Sequence, residues 1–402
     1  MIKIGLLGFG TVGEGFYRNV MSKRELIKDK TNKDFMFKRI LVKDLSEVDY
    51  PEVADKLTED YESIINDPEI DLIVEVIGGT DLAYDLVIKA LKNKKSVITA
   101  NKALVSKHFK EFVDAAKENG VSFQYEASVA GGVPIIEGIK NLVNYNSISK
   151  VKGILNGTTN FILSKMFNED AQYDKALSEA QELGFAEADP TDDVEGFDVQ
   201  RKLAILSTLC FGSEVKNEQI YTEGISRISK DDIDYAKKNN KVIKLIAEAS
   251  LDDGKLSLAV EPKFVDLNST FANVEGSFNI VSVDCDLVGN LQYYGKGAGD
   301  LPTGNAVAAD MIRYMENVDN DEKFNNSFDV ESDDAKFDYY LRISDKYDNE
   351  KLLSEVKNRF GDLELIYENS LYQCVVKNAS RDMVYSLKEL DEKNQLCFIN
   401  ME

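Results

Sequence analysis

The run Ile2-Lys3-Ile4-Gly5-Leu6-Leu7 leads directly into Gly8-Phe9-Gly10-Thr11-Val12-Gly13, and no other feature of the chain narrows its fold as much. Glycines at this spacing after an apolar strand answer one steric demand each: Gly8 permits a tight turn, Gly10 lets the backbone approach a pyrophosphate, and Gly13 lets the following helix pack on the strand. The amides opening that helix then face the anion. A strand, turn and helix of this kind begin a βαβ unit able to hold a dinucleotide.

The same alternation continues through the first ~125 residues, the pattern of a parallel sheet with helical crossovers. Strands are expected at 2–7, 37–42, 71–77, 96–99 and 121–125, with amphipathic helices such as 81–92 and 107–119, the latter ended by Gly120. The class is therefore α/β, with a doubly wound Rossmann-type parallel sheet. With 402 residues and a prior of ~150 per domain, two or three domains are expected. The dinucleotide-binding domain takes residues 1–127, with a helical return segment at 303–320. Residues 128–302 read as an α+β substrate-binding and dimerisation domain, with a strand-like stretch around 151–155, long helices, and then strands near 255–264 and 278–288. After the acidic linker at 331–334, residues 336–402 give strand 337–343, helix 350–360, strands 363–367 and 371–376, helix 383–389 and strand 396–399. That order is βαββαβ, a ferredoxin-like module.

Charge and composition remove several classes of function. With 48 basic against 71 acidic residues the formal charge is −23, and no basic stripe reverses it locally, so neither nucleic acid nor an anionic membrane is an expected partner. The apolar runs are strand-length and no basic leader precedes the first strand, which points to the cytoplasm. Cys210, Cys285, Cys374 and Cys397 lie far apart in apolar contexts and read as core residues rather than zinc ligands or a disulfide framework. His108 is the sole histidine, so proton transfer falls to lysine, tyrosine, a carboxylate or water unless that imidazole acts. Its setting near a helix start reads as a solvated or capping residue.

Ligands of open α/β sheets bind at the carboxyl edge of the strands. Three strand ends there carry candidate groups. Val42-Lys43-Asp44 offers a base for a ribose 2′-phosphate beside an acid for a 2′-hydroxyl, which leans toward NADP with NAD tolerated, unless the two are only a solvated loop pair. Ile77-Gly78 presents bare backbone. Thr99-Ala100-Asn101-Lys102 sets a hydroxyl, an amide and an ammonium together.

The segment from Gly184 to Lys202 is dense in acids yet ends in a helix with the apolar stripe Val199, Leu203, Leu206 and Cys210. Asp198 and Lys202 stand four apart on that helix. As residue chemistry alone, the pair reads either as an exposed ion pair worth ~0.3–0.5 kcal/mol, with Asp192 or Asp193 as an N-cap, or as part of a site.

Taken together, the glycine fingerprint, Thr99-Ala100-Asn101-Lys102, Glu126-Ala127-Ser128-Val129-Ala130-Gly131-Gly132-Val133-Pro134, Gly153-Ile154-Leu155-Asn156-Gly157-Thr158-Thr159-Asn160 and the acidic segment ending in Lys202 resemble the homoserine dehydrogenases, in that family's order. The resemblance implies NAD(P)-dependent interconversion of L-aspartate 4-semialdehyde and L-homoserine. It also implies roles. Lys202 matches the proton-transfer lysine, Asp193 an acid tied to catalysis, Glu187 and Asp198 the carboxylates that hold the substrate, and Lys102 a lysine beside nicotinamide and substrate. Gly184 and Gly297 match positions near the cofactor. A sodium or other monovalent cation is implied at Glu126, Val129, Gly131 and Val133, mostly through backbone carbonyls, and a homodimer or homotetramer through the middle domain.

Two other readings compete. An aldehyde-oxidising dehydrogenase passing through a thioester needs a nucleophilic cysteine beside a base, and neither Cys210 nor Cys285 has that setting. A non-catalytic sensor of NAD(P) and an amino acid is the alternative from another class, against which Lys102, Asp198 and Lys202 speak. The C-terminal module looks like an ACT domain. Such domains place an Asp-x-Pro-Gly turn after the first strand, whereas this chain reads Ser344-Asp345-Lys346-Tyr347-Asp348-Asn349-Glu350. The bulk and charge there point to subunit association, with threonine feedback weak or absent; the competing reading is that Asn349 caps the helix and its amides still bind an effector.

Overall fold

The computed structural model describes residues 1–318, 322, 324–344, 350–361, 363–368, 370–391 and 395–401. They form two compact units: 1–147 with 204–217 and 293–327, and 148–203 with 218–292 and 328–402. Residues 128–147 thus group with the first unit, and the C-terminal module with the middle sheet.

In the first unit, β1 (Ile2–Leu7), β2 (Phe35–Leu41), β3 (Leu57–Thr58), β4 (Leu72–Glu75), β5 (Ser96–Thr99) and β6 (Phe123–Gln124) form a parallel sheet in the order β3-β2-β1-β4-β5-β6. All four residues of β4 and of β5 are buried, as strands covered on both faces must be. β2 begins two residues earlier than expected because Phe35 and Phe37 both enter the core beneath Phe16 and Tyr17. β4 stops at Glu75, short of the expected 77, and Gly78 and Gly79 follow at φ +72° and +73°. The return helix Asp300–Met315 packs on the helix Thr11–Ser22. A Cβ on Gly15 would lie 2.4 Å from the Asp300 carbonyl oxygen, so this crossing depends on glycine.

The helix expected from residue 107 is Lys102–Asn119. Asn101 caps it by accepting from the Leu104 amide at 3.1 Å, and His108, at φ −128°, kinks it. The extra N-terminal turn was hidden by that kink, which interrupts the helical periodicity.

The second unit is built on β7 (Ile148–Ile154), β8 (Tyr221–Thr222), β9 (Lys241–Asp252), β10 (Lys255–Asp266), β11 (Phe278–Cys285), β12 (Gly289–Lys296), β13 (Asp329–Val330), β14 (Lys336–Ser344), β15 (Ile366–Glu368), β16 (Leu371–Ser380) and β17 (Leu396–Asn400), with β12 running on into the first unit. Its sheet follows β11-β7-β9-β10-β17-β14-β16-β15. β9 and β10 form an antiparallel hairpin from Lys255↔Asp252 to Asp266↔Lys241, turned by Asp253 and Gly254 at positive φ. The strand β9 stands in a region read from sequence as helical. Eight consecutive buried residues, Val242 to Ala249, erase the alternation that marks a half-exposed strand.

At the C-terminus the strands run β17-β14-β16-β15, all antiparallel, around a core that includes Tyr339, Leu341, Val356, Val376 and Phe398. The helix Glu350–Phe360 lies where the periodicity placed it, and Arg381–Tyr385 continues into a tighter turn through Leu390. The expected strand 363–367 is shorter and later, Ile366–Glu368. Of the turn thought to govern effector binding, residues 345–349 lie outside the described residues. All four cysteines are buried. Among the described residues no helix is long and apolar enough to cross a membrane.

Candidate active site

The glycine turn joins β1 to the helix Thr11–Ser22, with Gly10 at the N-cap. Gly8 sits at φ +104°, and a Cβ there would lie 2.8 Å from the Val76 carbonyl oxygen. A Cβ on Gly13 would lie 2.2 Å from the Gly8 carbonyl oxygen, so helix and strand touch through bare backbone. On Gly10 it would meet nothing within 4 Å. That open space in front of the helix amides is what a pyrophosphate requires, so the turn fits a dinucleotide. Phe9 packs edge-on against Tyr17 and Tyr50, and Val12 packs on the core, so both serve the turn by anchoring it. Thr11 is exposed at the first residue of the helix.

At the next strand end, Lys43 and Asp44 are both exposed. The Asp44 carboxylate accepts from the Ser46 amide at 2.7 Å and the Ser46 hydroxyl at 2.6 Å, and these bonds hold its pKa below the usual range. It is committed to its own turn. Ile77, Gly78, Thr99 and Ala100 gather around the buried Glu75: its Oε1 accepts from the Ile77 amide at 2.9 Å, its Oε2 from the Thr99 hydroxyl at 2.6 Å, and its main-chain oxygen from the Ala100 amide at 3.3 Å. Lys102 is half-buried at the start of its helix.

The implied cation turn also belongs to the first unit. Val129 and Val133 are buried, and Ala130 and Gly131 both adopt φ +54°. A Cβ on Gly131 would lie 2.4 Å from the Gly297 carbonyl oxygen, and the Gly132 amide donates to Lys296 at 3.1 Å, so this turn seats on the loop that carries Gly297. The Glu126 carboxylate is spent elsewhere: it accepts from the Ile136 and Glu137 amides at 2.9 and 3.0 Å and from Arg313 at 3.2 Å. Burial pushes this carboxyl up while Arg313 opposes the shift. Among the described residues no group of three His, Cys, Asp or Glu converges. With its carboxylate so engaged, Glu126 has only its main-chain oxygen left to offer an ion at this turn.

The second unit carries the acidic segment. Lys202 donates to Asp198 Oδ2 at 2.7 Å and to the Leu155 carbonyl at 2.6 Å. Asn156 Nδ2 bridges Asp193 Oδ1 at 2.7 Å and Asp198 Oδ2 at 2.9 Å, while Asn156 Oδ1 caps the helix Gly157–Glu169 through the Thr159 amide at 2.8 Å. Asp198 and Lys202 are 2% and 8% exposed, which removes the exposed-ion-pair alternative. Neither aspartate offered as a cap is one. Pro190 caps the helix Thr191–Val194, Asp192 holds Arg201 through two bonds at 2.7 and 3.1 Å, and Asp193 is taken by Asn156. A buried ammonium fixed between a carboxylate and a carbonyl is chemically suited to deliver a proton to a developing alkoxide.

Residues 8–126 match the homoserine dehydrogenase NAD-binding domain, and residues 134–312 match the homoserine dehydrogenase domain. The homoserine dehydrogenase of Bacillus subtilis is 41% identical over 320 residues, covering 79% of this chain and 73% of its own. The chain belongs to the homoserine dehydrogenase family. Its Synechocystis sp. relative is likewise 41% identical, over 78% of this chain and 73% of its own. The crystal structure of a homoserine dehydrogenase from Thiobacillus denitrificans superposes with a TM-score of 0.89 at 33% identity, covering 100% of this chain and 98% of that one. The S. aureus homoserine dehydrogenase gives 0.78 at 37%, over 100% and 98%. The chain is thus an oxidoreductase that acts on a CH–OH group with a nicotinamide cofactor.

Within this homoserine dehydrogenase fold, Lys202, Asp198 and Asp193 come together, and Asn156 joins them. Glu187 and Gly184 lie exposed on the loop after the helix Tyr173–Glu182, with the Glu187 carbonyl held by Gln181 at 3.0 Å. Asn156 and Glu75 were both missed by sequence reasoning. Asn156 stood inside a quoted motif, and an Asn three residues ahead of a Thr amide at a helix start is a capping signal. Glu75 carried a plainer one, a lone acid ending the apolar run of β4.

Proposed function

We propose that this chain interconverts L-aspartate 4-semialdehyde and L-homoserine, as a cytoplasmic enzyme of threonine and methionine biosynthesis, with Lys202 as its proton-transfer group. The observation that carries the reading is the buried Lys202–Asp198–Asn156–Asp193 cluster in a chain of this family. The bound nicotinamide supplies or takes the hydride. As hydride adds to the aldehyde carbon, the carbonyl electron pair moves to oxygen, and that oxygen takes a proton from the Lys202 ammonium. Asp198 holds the ammonium in place, Asp193 fixes Asn156, and Glu187 with Asp198 takes the polar ends of the amino-acid substrate. Lys102 supplies a second ammonium on the cofactor-binding unit.

NADP is the preferred cofactor, with NAD accepted. Asp44, the acid that would take a ribose 2′-hydroxyl, is engaged by Ser46, and Lys43 beside it suits a 2′-phosphate. Main-chain carbonyls of Glu126, Val129, Gly131 and Val133 hold a monovalent cation, sodium by preference. The proposed domains are 1–127 with 303–320, 128–302, and 336–402, the last an ACT-like module with a core drawn mainly from its own strands and helices; by compactness residues 128–147 group with the first. It serves association into a homodimer or homotetramer, and threonine acts weakly or not at all.

Absorbance at 340 nm tests the reading: NADPH with aspartate semialdehyde and the chain should lose absorbance steadily. No turnover would favour the sensor alternative. Strong inhibition of the full chain by millimolar threonine would overturn the role given to the C-terminal module.

A further inference from the structure

The carboxyl edge of the first unit's sheet holds one buried acid that the proposed mechanism does not use. Glu75 is fully buried at the end of β4, away from bulk solvent. Each of its oxygens is matched to a donor: Oε1 to the Ile77 amide at 2.9 Å and Oε2 to the Thr99 hydroxyl at 2.6 Å. The bonds continue past it. Thr99 Oγ1 accepts from the Asn101 amide at 3.0 Å. Asn101 in turn donates its side-chain amide to the Gly79 carbonyl at 2.6 Å and accepts from the Leu104 amide at 3.1 Å, capping the helix whose first residue is Lys102.

We propose that Glu75 is a positioning residue of the reaction, the fixed end of a hydrogen-bond chain through Thr99 and Asn101 that sets the Ile77–Gly79 turn and the Lys102 helix start against each other. The inference rests on the dehydrogenase reading above. Direction is built into the chain, because the Thr99 hydroxyl has one proton and gives it to Glu75, which leaves its oxygen to receive the Asn101 amide. Donors converge on both oxygens of Glu75, and a group that accepts at both ends, an ionised carboxylate, satisfies them. Burial pushes this carboxyl up, while bonds from Thr99, the Ile77 and Gly78 amides and Asn101 oppose the shift. The glycines cannot fix the turn themselves, since Gly78 and Gly79 at positive φ have nothing within 4 Å of a Cβ position. What holds the turn is Glu75 from inside and Asn101 from the other strand end.

Glu75→Gln keeps the shape but sets an NH2 group against a donor at one end. Thr99→Val keeps the β-branched shape and cuts the chain one link further on. Each is to be made alone and on Lys102→Met, with kcat and KM for NADPH followed at 340 nm, the NADPH Kd by fluorescence, and thermal melting as a control. We expect both single variants to remain folded, melting several degrees below wild type, and to lose about tenfold in kcat/KM for NADPH, the loss of a buried hydrogen bond. On Lys102→Met the added loss in kcat should shrink, because residues acting through one another are not additive. Values within about twofold of wild type for both variants, or an equal loss in both backgrounds, would overturn the proposal. Should Glu75→Gln fail to fold, Thr99→Val decides alone. A wild-type chain without turnover would remove the dehydrogenase reading instead, and the NADPH Kd of the same variants would then decide, an unchanged value counting against Glu75.

Discussion

Lys202 and Asp198 face each other at 2.7 Å from one helix, four residues apart, with both side chains shut away from solvent. An exposed pair at this spacing contributes only ~0.3–0.5 kcal/mol, but a buried ammonium stripped of its carboxylate costs several times that. Asp198→Asn is therefore expected to lower kcat at least a hundredfold, ~2.7 kcal/mol, while NADPH affinity stays near wild type because the cofactor turn lies in the other unit. Steady-state kinetics with a separate NADPH titration checks this. A lost NADPH affinity would mean that the pair is structural.

The glycines of the fingerprint should separate by experiment. Gly10→Val has open space for its side chain, so the chain should fold with an unchanged melting temperature and lose NADPH binding. Gly13→Ala pushes a methyl to 2.2 Å from the Gly8 carbonyl oxygen, so it should lower the melting temperature, by the ~1–3 kcal/mol of an overpacked contact. Melting curves and NADPH titrations on both variants read this contrast. Retained affinity in folded Gly10→Val would reduce the motif to a turn.

How far these features were legible beforehand depends on whether their signal was local. The fingerprint, the helix Asp81–Lys92 and the helix Glu350–Phe360 announce themselves within a dozen residues by spacing alone. The strand β9 does not. Lys241–Asp252 carries helix-favouring Ala and Glu, and its buried run is set by neighbours far off in sequence, β7 on one side and β10 on the other. The same limit hid the site partners. Asn156 reaches Asp193 and Asp198 across about 40 residues and Glu75 reaches Thr99 across 24, distances that only the fold closes. Lys202 and Asp198 were visible as a pair, but their burial was not, since the acids around them read as a solvated surface.

Stability should carry a pH signature from Lys244. Its ammonium is buried, donating to Asn160 at 2.9 Å and to the Val274 carbonyl at 2.6 Å, and burial pushes it down to about 8 against the pull of Glu275. The unfolded lysine titrates near ~10.4, so between those values the unfolded chain binds more protons than the folded one, and stability rises with pH. The burden is full below about 8 and relieved as pH climbs toward ~10. Urea unfolding of wild type and Lys244→Met should show a difference that shifts in favour of wild type across that window. A difference flat in pH would contradict the assignment.

The C-terminal module shares its charge with the sheet it joins. Glu261 on β10 is fully buried and accepts from Arg381 at 3.1 Å, Tyr385 at 2.7 Å and Asn400 at 2.8 Å, all from that module. Arg381→Ala removes the nearer of two cations beside this carboxylate, Lys263 standing at 4.0 Å, and should cost ~3 kcal/mol. Breaking the exposed Lys3–Glu69 pair should cost under ~1 kcal/mol. Denaturant midpoints compare the two directly. An Arg381→Ala cost as small as the surface pair's would show that the junction is solvated.

Lys202, proposed to meet the alkoxide, gives the most direct test. Wild type and Lys202→Ala are to be followed side by side at 340 nm with saturating NADPH and aspartate semialdehyde, after NADPH titration of each. The expected result is a kcat lower by at least ~10³ in Lys202→Ala with NADPH affinity within about twofold, the signature of an interaction made in the transition state. A kcat within about threefold of wild type would contradict it.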